Sequence, residues 1–345
     1  MKNKIRNFTA ATPNVSKDVL KIGLEQPKYF RTEEFAHTLQ ECSNILKELL
    51  NVPNGYTAFI TSSGTGAMES VVSNFINIDD NVLIINRGLF GQRWSDICNE
   101  YNVNFLETDS FDIEKFINSH NITIILMQSN ETSTMEKLPL FKIGRICKKY
   151  NIKLIVDAIS SFAIDSIDMN KDNIYACLMS SQKGLDLPSG LSIVVTKGRP
   201  ELYPRGYYFN LENYFYSLDE DLCLPFTPNV ILINQLYYRL KEIKKIGLDN
   251  IIKKRKELAN HFRKLIRKLP LEMVTKNMSN CGTLLRAKSK VGKIKKFFRY
   301  LQTKNIFITP TGGEEGDTFI VSHIGDLNKE DNLVLYEELR QWLKE

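Results

Sequence analysis

The stretch Lys153-Leu154-Ile155-Val156-Asp157-Ala158-Ile159-Ser160-Ser161 decides the fold. An apolar run ends in a carboxylate and gives way to small polar residues. Such a run, bounded by turn chemistry, reads as a strand covered on both faces. Working outward, the same figure recurs. Residues 57–62, 82–86, 103–106, 122–128, 175–180 and 191–196 read as strands. Between them lie helical patterns: one with Ala67, Met68, Val71, Val72, Phe75 and Ile76 on a single face, then 92–101, 113–118 and 141–150. Alternating helices and near-continuous apolar strands predict an α/β fold, with a mostly parallel central sheet and helices on both faces.

The flanks read differently. Thr32 is placed to cap a helix with Glu33 and Glu34 in its first turn and Phe35, Leu39, Cys42, Ile45, Leu46 and Leu49 facing inward. Pro225 and Pro228 punctuate the chain, and amphipathic helices follow over 229–245 and 249–269. The last third reads strand, helix, strand, strand, helix. This predicts a large domain over 1–240 and a smaller C-terminal α+β domain over 241–345, with residues 1–30 packing on the small domain or on a partner.

Composition narrows the function classes. Of 345 residues, 43% are hydrophobic and 25% charged, the balance of a soluble globular protein. No run reaches the ~18 apolar residues of a membrane helix. The Lys-rich N-terminus has no apolar segment behind it, so no secretory signal is expected and a cytoplasmic setting fits. A formal charge of +6 is mild. It predicts no nucleic-acid partner, and the basic clusters at 241–268 and 288–299 read as solvated helix faces. The six Cys and four His are scattered without ligand spacing, so no metal site is expected.

Open α/β sheets carry their sites at the carboxyl ends of strands, and four such places stand out. Ser62-Ser63-Gly64-Thr65-Gly66 lies between a strand and a helix, where small residues and a helix N-terminus suit a phosphate. It has neither the Walker nor the dinucleotide glycine spacing. Asp157 ends a buried strand, where a carboxylate needs a cation or donors. Lys183 lies among Ser, Gln and Gly at another strand end, where partial burial favours the nucleophilic neutral amine. Phe90, flanked by Gly88 and Gly91 on an expected loop, can lie flat on a planar ring. Singly, each has a bland explanation: a turn, a capping Asp, a surface Lys, a core Phe. Together they supply a phosphate site, ring stacking, a pyridinium partner and an amine, the set that pyridoxal 5'-phosphate requires.

The sequence resembles the class V, fold-type I aminotransferases that use pyridoxal phosphate, in particular the alanine–glyoxylate and 2-aminoethylphosphonate–pyruvate group. The likeness runs through 30–35, 63–69, Glu131-Thr132-Ser133-Thr134, 156–162, Ser181-Gln182-Lys183 and 225–228. It implies a Schiff base on Lys183, which then shuttles the substrate proton, and a pyridinium pairing with Asp157. It implies stacking by Phe90, a ring hydroxyl contact from Thr132 or Ser133, and phosphate contacts from Ser63, Gly64, Thr65 and Gln182. Thr227 would come from the second subunit of a homodimer with shared active sites. The substrates implied are a small amino donor, such as alanine, serine or a 2-aminoethylphosphonate-like amine, and a 2-oxo acid such as pyruvate or glyoxylate. A class V lyase or decarboxylase, or a degenerate homologue that only binds the cofactor, are the alternatives.

Three positions depart from the family pattern. Phe30 replaces a His, Met135 a Gly, and Ile320 the Arg that binds the substrate carboxylate. Ile cannot form the bidentate fork that Arg makes with a carboxylate. The substrate therefore either lacks that group or meets another cation, with Arg31 the first candidate, then Arg93 and Arg205.

Overall fold

The computed structural model describes residues 4–201, 204–311 and 316–344. Seven strands form the larger sheet in the order Tyr56–Ile60, Ser192–Thr196, Ala176–Ser180, Lys153–Asp157, Ile124–Gln128, Val82–Ile85 and Phe105–Thr108. Only Ser192–Thr196 runs antiparallel to its neighbours. The rest share one direction, so their carboxyl ends line one edge. Every residue of Ile124–Gln128, Ala176–Ser180 and Ser192–Thr196 is buried. That explains their unbroken apolar character, since helices cover both faces.

The helix Glu33–Leu49 is capped as its sequence suggests, with the Thr32 hydroxyl accepting from the Phe35 N–H at 3.3 Å. Its Phe35, Leu39, Cys42, Ile45 and Leu46 are buried, each contributing roughly 1.5–3 kcal/mol for the larger side chains. Some expected boundaries move. The strand expected at 103–106 is Phe105–Thr108, because Asn102 takes a left-handed turn at φ 50° before it. The helix expected from residue 92 begins at Leu89, directly after Gly88. Phe90 therefore stands in a first helical turn, not on a loop. The helix Leu211–Asp219, capped by Asn210, had no clear sequence signal.

A second sheet has the order Arg6–Phe8, Ile306–Thr311, Thr318–Ser322, Gly282–Arg286 and Glu272–Met273. Its edge strand comes from the N-terminus: Arg6, Asn7 and Phe8 pair in parallel with Ile306, Phe307 and Ile308. Helices Leu248–Ile266, Ile294–Thr303 and Lys329–Lys344 supply buried residues to a core around Phe8, Phe262, Phe298 and Phe319. The larger core extends through Leu240 and Ile243, so the helix Val230–Ile246 belongs with the first sheet beyond residue 240. A third, small apolar cluster of Ala10, Met135, Ile164, Cys281, Leu284, Ile320 and Ile324 joins the two.

Candidate active site

Between the carboxyl edge of the larger sheet and the second sheet lies a cavity of about 600 Å³. Ser63, Gly64, Thr65, Phe90, Arg93, Thr132, Ser133, Asp157, Gln182, Lys183 and Ile320 all line it. Arg31, Arg205 and Thr227 do not. Arg31 is exposed, with its guanidinium 5.6 Å from the Phe30 ring centre. Arg205 donates to the carbonyls of Tyr101, Val72 and Ile76 at 2.6, 3.4 and 2.9 Å. It braces a helix end and is not a substrate cation in its own chain. Thr227 is exposed.

The helix Gly64–Phe75 starts at the cavity. Its N-cap Ser63 makes no side-chain capping bond, so the Gly64 and Thr65 N–H groups are available to an anion, while the Gly66 N–H bonds the Ser63 carbonyl at 2.9 Å. A Cβ on Gly64 would come within 2.5 Å of Ile159 Cδ1, so a larger residue there would have to displace the Ile159 side chain that also lines the cavity. Asp157 follows its strand into the cavity floor. Its Oδ1 accepts from the Ile159 N–H at 2.8 Å. Burial pushes the carboxyl up to about 6, against the opposing pull of that N–H. Lys183 is 6% exposed and donates to the Ala10 carbonyl. Burial lowers the amine's pKa, an effect that Cys281 and Asp157 partly oppose. A buried amine and a buried carboxyl thus share one cavity, each displaced toward its neutral form.

Glu131, whose role the sequence did not disclose, holds this arrangement together. It is fully buried and accepts from the N–H groups of Phe90, Gly91 and Ser133 at 3.2, 3.1 and 2.9 Å. Gln128 Nε2 donates to it at 2.8 Å and the Ser133 hydroxyl at 2.5 Å. Gly88 makes the approach possible, since a Cβ there would meet Ser133 Oγ at 2.5 Å and Glu131 Cδ at 2.8 Å. Met135, where the family pattern has glycine, keeps a left-handed φ of 57° and is fully buried in the small apolar cluster. Burial of its side chain offsets the backbone cost. Sequence reading also missed the far wall. Ala10, Ala11, Thr309, Pro310 and Thr311 line the cavity from the second sheet and the N-terminal segment. Only their tertiary position marks them.

The model of the aminotransferase class V family matches residues 25–319. The chain belongs to that family. It is a pyridoxal-phosphate-dependent aminotransferase. An uncharacterised aminotransferase of Methanocaldococcus jannaschii is 28% identical over 333 residues, covering 91% of this chain and 86% of the relative. The L-aspartate–glyoxylate aminotransferase of Paracoccus denitrificans is 28% identical over 253 residues, 68% of this chain and 63% of its own. The ureidoglycine–glyoxylate aminotransferase of Bacillus subtilis superposes with a TM-score of 0.91 at 21% identity, covering 100% of this chain and 94% of its own. That last likeness shows the fold. Among the described residues no His, Cys, Asp and Glu gather as a metal site, and no helix is long and apolar enough to cross a membrane.

Proposed function

We propose that this aminotransferase moves an amino group from a small amine or amino acid to a 2-oxo acid such as pyruvate or glyoxylate. Alanine, serine and 2-aminoethylphosphonate-like donors fall in this class. The observation that carries the assignment of roles is the burial of Lys183 and Asp157 in one cavity, beneath an uncapped helix N-terminus.

The residues present fit pyridoxal phosphate. Ser63, Gly64 and Thr65 offer the phosphate a helix N-terminus, with Gln182 beside them. Phe90 presents a ring face, and Asp157 a carboxylate for a ring nitrogen. When bound, the cofactor supplies the electron sink that acidifies the substrate C–H bond. Lys183 Nζ is the anchoring amine, already biased toward its unprotonated form by burial. Once freed by the incoming amine, that nitrogen would be the base that takes the proton from the amine-bearing carbon. Asp157 sets the charge of the ring nitrogen. Between the two hydroxyls that could meet the ring oxygen, Thr132 is the better placed: Ser133 already donates to Glu131, while Thr132 shares its bond with Ser160 at 2.5 Å. The wall formed by Ala10, Pro310 and Ile320 restricts water.

A homodimer with shared sites is part of this reading. Tyr207 is 82% exposed and lies in a tilted contact 5.7 Å from Phe226, on which Tyr208 stacks at 4.9 Å, next to exposed Thr227. The same patch is tied to the phosphate loop, with the Tyr208 hydroxyl donating to the Thr61 carbonyl at 3.2 Å. The family resemblance assigns this face to a two-fold contact in which one copy's Thr227 completes the other's phosphate site. We also assign the protein to the cytoplasm and divide the chain into two domains a little past residue 240, after the helix Val230–Ile246, whose Leu240 and Ile243 belong to the larger core.

The test is the absorbance spectrum of purified protein with pyridoxal phosphate, before and after each donor, beside Lys183→Ala. A Lys183-dependent visible band that one donor converts to the pyridoxamine form is the expected result. A band that no donor bleaches would favour a lyase. Absence of a band would remove the role given to Lys183.

A further inference from the structure

The cavity has two unlike sides. Its second-sheet wall offers Ala10, Ala11, Pro310 and Ile320, with threonines as the polar groups. Ile320 is 2% exposed and packed with Ala10, Met135, Ile164, Cys281, Leu284 and Ile324. A carboxylate set against it would lose its water and gain no cation, a cost of several kcal/mol for an unpaired buried charge. On the opposite side stands Arg93.

Arg93 differs from the other arginines near the domain junction. Arg87 pairs with Glu136, Arg199 with Glu212 and Asp219, and Arg239 and Arg255 with Asp186. Arg263 spends its guanidinium on Thr283 Oγ1 and the carbonyls of Ser279 and Gly282. Arg93 lines the cavity half-buried and donates one bond, from Nη1 to Thr65 Oγ1 at 3.1 Å. Its guanidinium carbon lies over the Phe90 ring, 4.8 Å from the ring centre. Among the described residues, neither carboxylate nor carbonyl takes its other donors. A guanidinium fixed at one edge, backed by an aromatic face and open toward a cavity is built to receive an anion. Its charge reaches the reacting amine: it is among the influences lowering Lys183 and Asp157.

We propose that Arg93 is the residue that binds the substrate carboxylate, and that the Ile320 wall receives the uncharged substituent on the amine-bearing carbon. This rests on the aminotransferase reading above. It reassigns the carboxylate contact from position 320 to the opposite side of the cavity. The substrate class is then an α-amino acid or 2-oxo acid with a small apolar or hydroxylated side chain, bound with its carboxylate on the larger-sheet side.

The experiment compares pyruvate with propanal, a three-carbon carbonyl compound that has no carboxylate. Each is mixed with protein carrying pyridoxamine phosphate, and return of the Lys183-dependent band is timed. Arg93→Gln should slow pyruvate roughly 10- to 150-fold, the range for losing a charged hydrogen bond. Propanal should change by less than about threefold, and Arg93→Lys should recover part of the loss with pyruvate. The pyridoxal phosphate dissociation constant, read by fluorescence quenching, should stay within about threefold. Equal slowing of both substrates with weakened cofactor binding would place Arg93 on the cofactor phosphate and overturn the proposal. An unchanged pyruvate rate would overturn it too. If wild-type protein formed no Lys183-dependent band, the role of Lys183 would fall and this inference with it. That outcome is separable from the others because it appears before any variant is made.

Discussion

The two sides of the cavity are made by different physics. The larger-sheet side is assembled from strand ends, with Ser63–Thr65, Phe90, Thr132, Asp157 and Lys183 each one or a few residues past a buried strand or at a helix start. The second-sheet side is assembled from distant chain, with Ala10 and Ala11 just after an N-terminal strand and Thr309, Pro310, Thr311 and Ile320 on two others. The first side is polar and titratable, the second largely apolar. The difference teaches where variation is cheap. Changing a residue on the first side alters charges that depend on one another, whereas changing the second alters the shape and polarity seen by the substrate.

Substitutions can break this contrast, and their effects should fall in order. Lys183→Ala should lose at least about 10³-fold in turnover, because it removes both the anchoring amine and the base. Steady-state rates with added cofactor measure it, and recovery of the full rate would be incompatible with that role. Asp157→Asn should cost roughly 10²- to 10³-fold, the scale of removing one preorganised electrostatic contact. The same variant has a second signature in protein without cofactor. The Asp157 carboxyl sits at about 6 when folded, against an ordinary 3.8. It therefore favours the folded state below the ordinary value, and that contribution is lost as pH rises through 6. Asn should raise the melting temperature by a few degrees above pH 6, and the gain should vanish toward pH 4. A pH-independent difference would show that Asp157 does not carry the shift.

Ile320→Arg sharpens the other half of the comparison. It sets a cation into the cluster of Ala10, Met135 and Ile164 and should cost about 3–5 kcal/mol of stability, an uncompensated buried charge. Excess pyruvate should restore part of the melting temperature by pairing with it. If Ile320→Arg melts like wild type, the apolar wall is less closed than its burial indicates. The smallest effect is expected for Glu131→Gln. It keeps the side-chain shape but exchanges one acceptor oxygen for an NH₂ group, costing roughly 1–3 kcal/mol. Near-ultraviolet circular dichroism should show a loosened Phe90 environment, and an unaltered signal and melting temperature would mean the five donors find other partners.

Much of the larger sheet was legible in sequence because its information is local. A fully covered strand needs a continuous apolar run, and a helix start needs a cap such as Thr32. Those signals sit within a few residues. Boundaries slipped where a turn intervened: Asn102 delayed one strand, and Gly88 let a helix begin early enough to take Phe90 into its first turn. The antiparallel direction of Ser192–Thr196 was not legible either, because a buried strand is apolar whichever way it runs.

By itself the sequence determined the alternation of strands and helices, and the amine, carboxylate and glycine-rich turn that stand at strand ends. These depend on chemistry within single segments. Only the tertiary structure decided that Arg6–Phe8 would pair with a strand some 300 residues later in the chain and carry the Ala10 carbonyl to the Lys183 amine. It alone separated Arg93, open to the cavity, from Arg205, spent on helix carbonyls. The physical reason is that a side chain's partners are set by what packs beside it, and nothing local to either arginine says which atoms the fold brings within hydrogen-bond reach.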